Sequence, residues 1–161
     1  MSAGARAVLE ACPLFEGLPA AALDELAAGA SLRSVRAGDT IIREGEEGDS
    51  LFVIAAGRAR TEKRTPSGDA WTVRFYERGG VFGELSLLDR VRRSATVVAE
   101  TDGTLVVIER DRFIDFGDRH PAAGLAVTRR LAERLASSLR RANEDVVTLF
   151  SALVNEVERR L

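Results

Sequence analysis

The sequence predicts an α+β fold, in which helical segments flank a roll or barrel of short antiparallel β-strands. Residues 31–109 contain short runs rich in β-branched and aromatic residues, and turn residues separate these runs at close spacing. The segments on either side, residues 3–30 and 110–161, repeat apolar residues at three- and four-residue steps instead. The spacing of apolar residues along the chain therefore changes from a helical period to a β period and back to a helical period.

The composition is that of a folded domain with enough apolar residues for a core. The chain has 161 residues, of which 45% are hydrophobic and 30% charged, and its formal net charge is −2. Nucleic-acid binding needs a clustered positive face, so this charge balance argues against nucleic acid as a partner. No apolar run approaches the roughly 20 residues of a membrane helix, and the pattern of residues 1–8 does not predict a signal peptide. We therefore expect a cytoplasmic protein with no membrane partner.

The sequence offers little for catalysis or for metal binding. Cys12 is the only cysteine and His120 the only histidine. One thiol cannot form a disulfide within the chain, and the pair supplies neither a nucleophile with its base nor a metal-ligand set. His120 precedes a proline at a helix boundary, where we expect a structural role. We expect no enzyme activity, no catalytic residue, no metal site and no cofactor.

The elements of the predicted roll follow from turn residues that separate apolar runs. Before the roll, the helical pattern stops and restarts at residues 17–19, because Pro19 fits the first turn of a helix. The predicted strand runs are residues 40–42, 51–54, 58–64, 71–76, 81–82, 94–99 and 104–109. Residues 66–69 are a strong turn signal between two of these runs. After the roll, residues 110–119 predict a short helix capped by Asp111.

The segment from Pro121 to Leu161 predicts one long helix with two apolar stripes. If it is continuous, its roughly 40 residues span about 60 Å. The first stripe has the spacing of a coiled-coil seam and comprises Leu139, Ala142, Val146, Leu149 and Leu153. The second stripe comprises Val147, Phe150, Val154, Val157 and Leu161. We expect residues 1–120 to form the N-terminal helices and the β-roll, and residues 121–161 to form a helix that serves as a lid and as a homodimer contact. The alternative is a break near residues 143–145 that folds the helix back onto its own domain.

One compact stretch carries polar chemistry suited to a phosphate ester with a ribose attached. Gly83 lets backbone approach a ligand, because it has no Cβ. The Glu84 carboxylate accepts hydrogen bonds from sugar hydroxyls, and the Arg93 guanidinium fits a phosphate with two parallel bonds. Ser94 adds a hydroxyl beside Arg93.

This stretch resembles the phosphate-binding cassette of cyclic nucleotide-binding domains. The family pattern is Phe-Gly-Glu-Leu-Ala-Leu, a short loop, and then Pro-Arg-Ala-Ala-Thr, and glycines 38, 45, 48, 57 and 83 match the glycine pattern of the family's jelly-roll-like β-roll. The resemblance implies Glu84 on the ribose 2′-hydroxyl and Arg93 on the cyclic phosphate. The cassette residues it implies in ligand binding are Phe82, Gly83, Glu84, Leu85, Ser86, Arg93 and Ser94. Arg92 departs from the pattern, since the family often has proline there.

The start of the long helix is similar to the dimer helix of the bacterial catabolite activator protein. This similarity implies Arg134 near the nucleotide and Ser138 at the adenine amino group. Leu139 departs, because the activator has a second hydroxyl at that place. If this helix serves only for packing, Ser138 is instead a small residue of the coiled-coil seam. No helix-turn-helix fits the sequence, so we expect no direct readout of DNA.

The leading hypothesis is a receptor module for a 3′,5′-cyclic nucleotide, with cAMP ahead of cGMP, that couples binding to movement of its C-terminal helix. Its further partner would be a protein effector. The alternative is a protein-interaction or dimerisation scaffold with weak or no nucleotide binding, which Arg92 and Leu139 favour. An enzyme of the small-barrel type is the least favoured hypothesis.

Overall fold

The computed structural model describes residues 2–64, 68–89 and 91–160. Helices α1 (Ser2–Glu10) and α2 (Ala20–Gly29) come first and the strands follow. The strands are β1 (Ser31–Val35), β2 (Thr40–Ile42), β3 (Ser50–Ala56), β4 (Ala59–Arg64), β5 (Ala70–Tyr76), β6 (Val81–Phe82), β7 (Thr96–Ala99) and β8 (Gly103–Glu109). The remaining helices are α3 (Leu85–Leu88), α4 (Arg110–Arg119) and α5 (Pro121–Arg160). The predicted α+β fold class is confirmed.

The strands form two antiparallel four-stranded sheets. The first sheet has the order β1-β8-β3-β6 and the second has the order β2-β7-β4-β5. Strand β6, which leads into the cassette, pairs with β3 through Phe82 opposite Phe52. Strand β7, which follows the cassette, pairs with both β2 and β4 in the other sheet. The cassette therefore connects one sheet to the other.

The core lies between the two sheets and takes side chains from both. Strand β3 shows the reason, because its residues 51–54 are all buried and apolar, as in a central strand. The buried cluster comprises Val35, Ile41, Ile42, Phe52, Ile54, Ala59, Phe82, Val97, Ala99 and Leu105. A cluster that spans both sheets fixes the cassette between them.

Strand β5 lies at one edge of the second sheet and is exposed along most of its length. Trp71, Val73 and Phe75 are 68%, 63% and 60% exposed. Its register against β4 shifts between Thr61 and Glu62, as at a β-bulge. A bulge twists an edge strand, which opposes pairing with another chain. Residues 66 and 67 of the predicted turn at residues 66–69 lie outside the described residues.

Helix α4 begins two residues earlier than its predicted cap, Asp111, would place it. Glu109 is the residue before the helix, and its side chain makes no capping hydrogen bond. Asp111 lies inside the first turn, so the prediction of Asp111 as a cap is wrong. An acidic residue in the first turn still stabilises the helix through its dipole. At the other end, His120 Nε2 lies 2.8 Å from Glu25 Oε2 of α2, and this contact gives His120 a structural role.

Helix α5 runs without a break from Pro121 to Arg160. The alternative with a break near residues 143–145 is therefore wrong. Leu161, the last residue of the second stripe, lies outside the described residues. The chain divides into two compact units after Leu125, and the predicted division at residue 120 stays a prediction. In the second unit, apolar side chains of both stripes are between 40% and 67% exposed, namely Leu139, Val146, Val147, Leu149, Phe150, Leu153, Val154 and Val157.

None of the described helices combines the length and the apolar character needed to cross a bilayer.

Candidate functional site

The cassette begins with a turn that only glycine makes without strain. Strand β6 ends at Phe82, and Gly83 follows with a φ of +78°. A Cβ at Gly83 would lie 2.8 Å from Arg93 Nη1 and 2.9 Å from the Ser50 carbonyl oxygen. The backbone at Gly83 is therefore in close contact with the Arg93 side chain.

The Arg93 guanidinium is held in one orientation by oxygen atoms of three residues. Its Nη1 donates to the Ser50 carbonyl at 2.9 Å and to the Gly83 carbonyl at 3.3 Å. The same nitrogen donates to Ser86 Oγ at 2.8 Å. The ring of Phe52 lies under the guanidinium, 5.7 Å from its carbon to the ring centroid.

The rest of the Arg93 guanidinium is left without a partner of opposite charge. Among the described residues, Nε and Nη2 of Arg93 make no hydrogen bond, and no carboxylate lies within 4.0 Å. Burial lowers the pKa of Arg93 from its ordinary value, and the charge of Asp49 acts in the opposite direction. Because a guanidinium stays charged in proteins, this half-buried cation favours an anion at its Nε–Nη2 edge.

A turn formed by residues 45–50 contacts both the backbone and the side chain of Arg93. The Arg93 N–H donates to the Glu46 carbonyl at 2.8 Å, and the Arg93 carbonyl accepts from the Gly45 N–H at 2.9 Å. At Gly48 the backbone lies directly against Arg93 Nε, so a side chain at position 48 would displace the Arg93 side chain. Sequence reasoning treated Gly45 and Gly48 only as part of a glycine pattern and missed their contact with Arg93.

The Glu84 carboxylate is available for a ligand. Glu84 is partly exposed, and within the described parts of the chain its side chain makes no hydrogen bond or ion pair. Its N–H group and that of Leu85 also donate to no other described backbone carbonyl. Leu85 is 40% exposed, and Ser94 is exposed close to Arg93 in sequence. These groups give the cassette free donors and one free acceptor side chain.

Two predicted site residues are buried and support the cassette. The Phe82 ring is 1% exposed and stacks on Phe52 at 5.3 Å, so any ligand contact at position 82 would come from its backbone. Ser86 is 2% exposed, and its hydroxyl is already bonded to Arg93. Tyr76 extends the aromatic packing, 5.2 Å from Phe82.

The two predicted contacts on the long helix, Arg134 and Ser138, lie on α5 in the second unit. Arg134 Nε is buried and has no hydrogen-bond partner among the described residues. The roles of Arg134 and Ser138 in base recognition stay predictions.

The described residues contain no group of three or more His, Cys, Asp or Glu side chains that could hold a metal ion.

Comparison with known families agrees with this geometry. The family model of the cyclic nucleotide-binding domain matches residues 32–120 of the chain. The chain belongs to the cyclic nucleotide-binding domain family. The matched residues of the cyclic nucleotide-binding domain include every strand residue from β2 to β8, α4 and the whole cassette.

Relatives of this cyclic nucleotide-binding domain occur in regulators and in longer enzymes. The chain is 38% identical over 107 residues to a cAMP-dependent protein kinase regulatory subunit of Aspergillus fumigatus, which covers 66% of the chain and 25% of the subunit. It is 34% identical over 139 residues to Glutaminase 1 of Bradyrhizobium diazoefficiens, covering 86% of the chain and 22% of that protein. The chain thus spans about a quarter of the length of these relatives.

The fold is similar to that of a solved bacterial regulator. The crystal structure of the Thermus thermophilus catabolite activator protein superposes with a TM-score of 0.76 at 32% identity. The similarity covers 85% of this chain and 62% of the activator. It supports the β-roll as the common structure of this family.

Proposed function

We propose that this cyclic nucleotide-binding domain is a cytoplasmic receptor for a 3′,5′-cyclic nucleotide, with cAMP ahead of cGMP. The observation that supports the proposal most is the state of Arg93. Its Nη1 is fixed by three oxygen acceptors, while Nε and Nη2 donate no hydrogen bond to a described residue. That edge can bind two oxygens of a cyclic phosphate monoanion. The name of the kinase regulatory subunit among the relatives supports cAMP as the ligand.

The ribose would be bound by Glu84. The cyclic ester uses the 3′ and 5′ oxygens, so the 2′-hydroxyl is the ribose donor left for a carboxylate. Glu84 follows the Gly83 turn directly, and its carboxylate has no partner among the described residues. A carboxylate without a described partner and a partly buried arginine in one cassette fit a ligand that combines an anion and a hydroxyl.

The proposal is tested by calorimetric titration of cAMP, cGMP and AMP into the wild type and the Arg93→Ala variant. Charge-assisted hydrogen bonds contribute about 1.5–3 kcal/mol, so Arg93→Ala should weaken cAMP binding by roughly 10- to 150-fold. Arg33→Ala, which removes an exposed arginine of β1, is the matched control and should bind as the wild type does. Equal affinities of the wild type and Arg93→Ala would remove Arg93 from the site.

We also propose that α5 forms a homodimer and that nucleotide binding is coupled to this helix. The exposed first stripe favours a second copy, because Leu149 and Leu153 are 65% and 64% exposed on one side of a continuous helix. A scaffold that dimerises and binds no nucleotide is the second candidate function. No thermal shift at millimolar cAMP and cGMP would favour the scaffold, and binding of cAMP below about 10 μM would argue against it.

A further inference from the structure

We propose that Arg92 is a positioning residue for the nucleotide site, because its side chain ties the loop before Arg93 to the turn that contacts Arg93. Arg92 Nη1 donates a hydrogen bond of 2.8 Å to the carbonyl oxygen of Gly45. The inference rests on the proposed function, since Arg92 acts through the residue proposed to bind the phosphate.

Arg92 completes a set of three hydrogen bonds between two short backbone segments. The Gly45 N–H donates to the Arg93 carbonyl at 2.9 Å, and the Arg93 N–H donates to the Glu46 carbonyl at 2.8 Å. These two bonds hold the backbone of Arg93. The third bond, from the Arg92 side chain, holds the Gly45 carbonyl. The N–H and the carbonyl of Gly45 are thus both bonded to the arginine pair.

The conformation of Gly45 explains why the hydrogen bond from Arg92 matters for the turn. Gly45 has a φ of +83°, a region that residues other than glycine rarely adopt. A glycine backbone is flexible, so a hydrogen bond to the Gly45 carbonyl restricts its conformations. The same turn continues to Gly48, whose backbone lies against Arg93 Nε. A turn that moves at Gly45 would therefore change the space in which the Arg93 guanidinium lies.

Position 92 itself has no backbone bond that would replace the side chain. The Arg92 N–H donates to no described backbone carbonyl, and the residue is exposed. The neighbouring Val91 donates its N–H to Asp89 Oδ1 at 3.3 Å. The Arg92 side chain therefore supplies a bond to Gly45 that the described backbone at position 92 does not make.

Arg92 is also a second cation beside Arg93, so a long-range attraction for the phosphate is the competing explanation. The two explanations differ in their dependence on salt. The attraction between an exposed charge and an anion is screened as ionic strength rises. A hydrogen bond that orders the loop retains its effect at high salt, because the geometry of Arg93 stays ordered.

The experiment titrates cAMP into the full chain at 50 and 500 mM NaCl. The proteins are the wild type, Arg92→Ala, Arg92→Lys and Arg43→Ala. The last is the matched control, since Arg43 is an exposed arginine next to the same turn and pairs with Glu46 at 3.4 Å. We expect Arg92→Ala to raise the Kd about threefold to tenfold, the range of one net hydrogen bond. The rise should be the same at both salt concentrations, Arg92→Lys should restore affinity to within about twofold, and Arg43→Ala should bind as the wild type does.

Hydrogen exchange of the nucleotide-free proteins is a second measurement of the role of Arg92, and it needs no ligand. In the wild type the Arg93 N–H is bonded to Glu46, so its exchange should be slow, and it should accelerate in Arg92→Ala but not in Arg43→Ala. Unchanged exchange at Arg93, or a Kd difference that disappears at 500 mM NaCl, would overturn the role of Arg92. If the wild type binds no nucleotide while Arg92→Ala still loosens Arg93, the proposed function fails and the positioning role of Arg92 stands.

Discussion

The backbone of Gly48 and the side chain of Arg93 are in direct contact, and a Cβ at position 48 would meet Nε and would lie 2.6 Å from Cδ of Arg93. Gly48 is not among the glycines with positive φ, so its backbone conformation is open to alanine. The reason for glycine at this position is therefore the space that Arg93 occupies. A change at Gly48 acts on the site rather than on the fold.

We predict that Gly48→Ala weakens cAMP binding about as much as Arg93→Ala does, by roughly 10- to 150-fold. The added methyl group displaces a flexible side chain, so the thermal midpoint should change by no more than a few degrees. Calorimetric titration and scanning calorimetry measure the two effects. Gly117→Ala is the control, because a Cβ there has no neighbour within 4 Å. Wild-type affinity in Gly48→Ala would show that the Arg93 orientation does not matter for binding.

We predict that Glu84→Gln lowers the affinity for cAMP and has little effect on 2′-deoxy-cAMP. The wild type should prefer cAMP over the deoxy ligand by about 10- to 150-fold, because a carboxylate–hydroxyl bond contributes about 1.5–3 kcal/mol. The variant should lose most of this preference. Since Glu84 has no partner among the described residues, the stability of the protein should not fall. A preference that survives in Glu84→Gln would place the ribose elsewhere.

We predict that Phe82→Ala destabilises the fold by about 3–5 kcal/mol, since it removes a buried ring from the core. Phe82 is 1% exposed and packs between Phe52 and Tyr76. Phe75→Ala is the control, because Phe75 is 60% exposed and should cost no more than about 0.5 kcal/mol. Urea unfolding followed by circular dichroism gives both values, and similar midpoints for the two variants would contradict the packing described for Phe82.

We predict that the wild type sediments as a dimer at about 50 μM and that Leu149→Glu/Leu153→Glu is a monomer. Carboxylates in a coiled-coil seam are costly to bury, so the two chains of the dimer should separate. The matched control adds the same charges away from both stripes, as Thr148→Glu/Asn155→Glu, and should stay dimeric. A monomeric wild type would leave the apolar stripes without the second copy that we propose.

Periodicity was enough to predict most elements of the roll, because their burial follows local sequence. The run at residues 51–54 became the buried part of β3, and residues 110–119 became α4 as predicted. The error at Asp111 has a local cause: β8 ends at Glu109 and α4 starts at Arg110, so the cap position falls on the last residue of the strand. Caps depend on the connection to the preceding strand, which periodicity does not report.

The sequence allowed us to predict which residues are candidates for the site, but not the contacts that position them. Gly83, Glu84 and Arg93 stood out because their chemistry suits a nucleotide, and they lie together in the structure. The contacts of Arg93 with Ser50 and Gly48 involve residues more than 40 positions away, and no local pattern indicates them. The burial of Phe82 likewise depends on its pairing with Phe52 across the sheet.

The exposed strand β5 carries an intrinsic fluorophore. Trp71 is the only tryptophan of the chain, and it is 68% exposed on that strand. Because this indole is already in water, its emission should change little when the protein unfolds in urea. A shift of its emission to shorter wavelength would instead mark the moment at which another molecule covers the strand, so unmodified protein can report an encounter there without a dye.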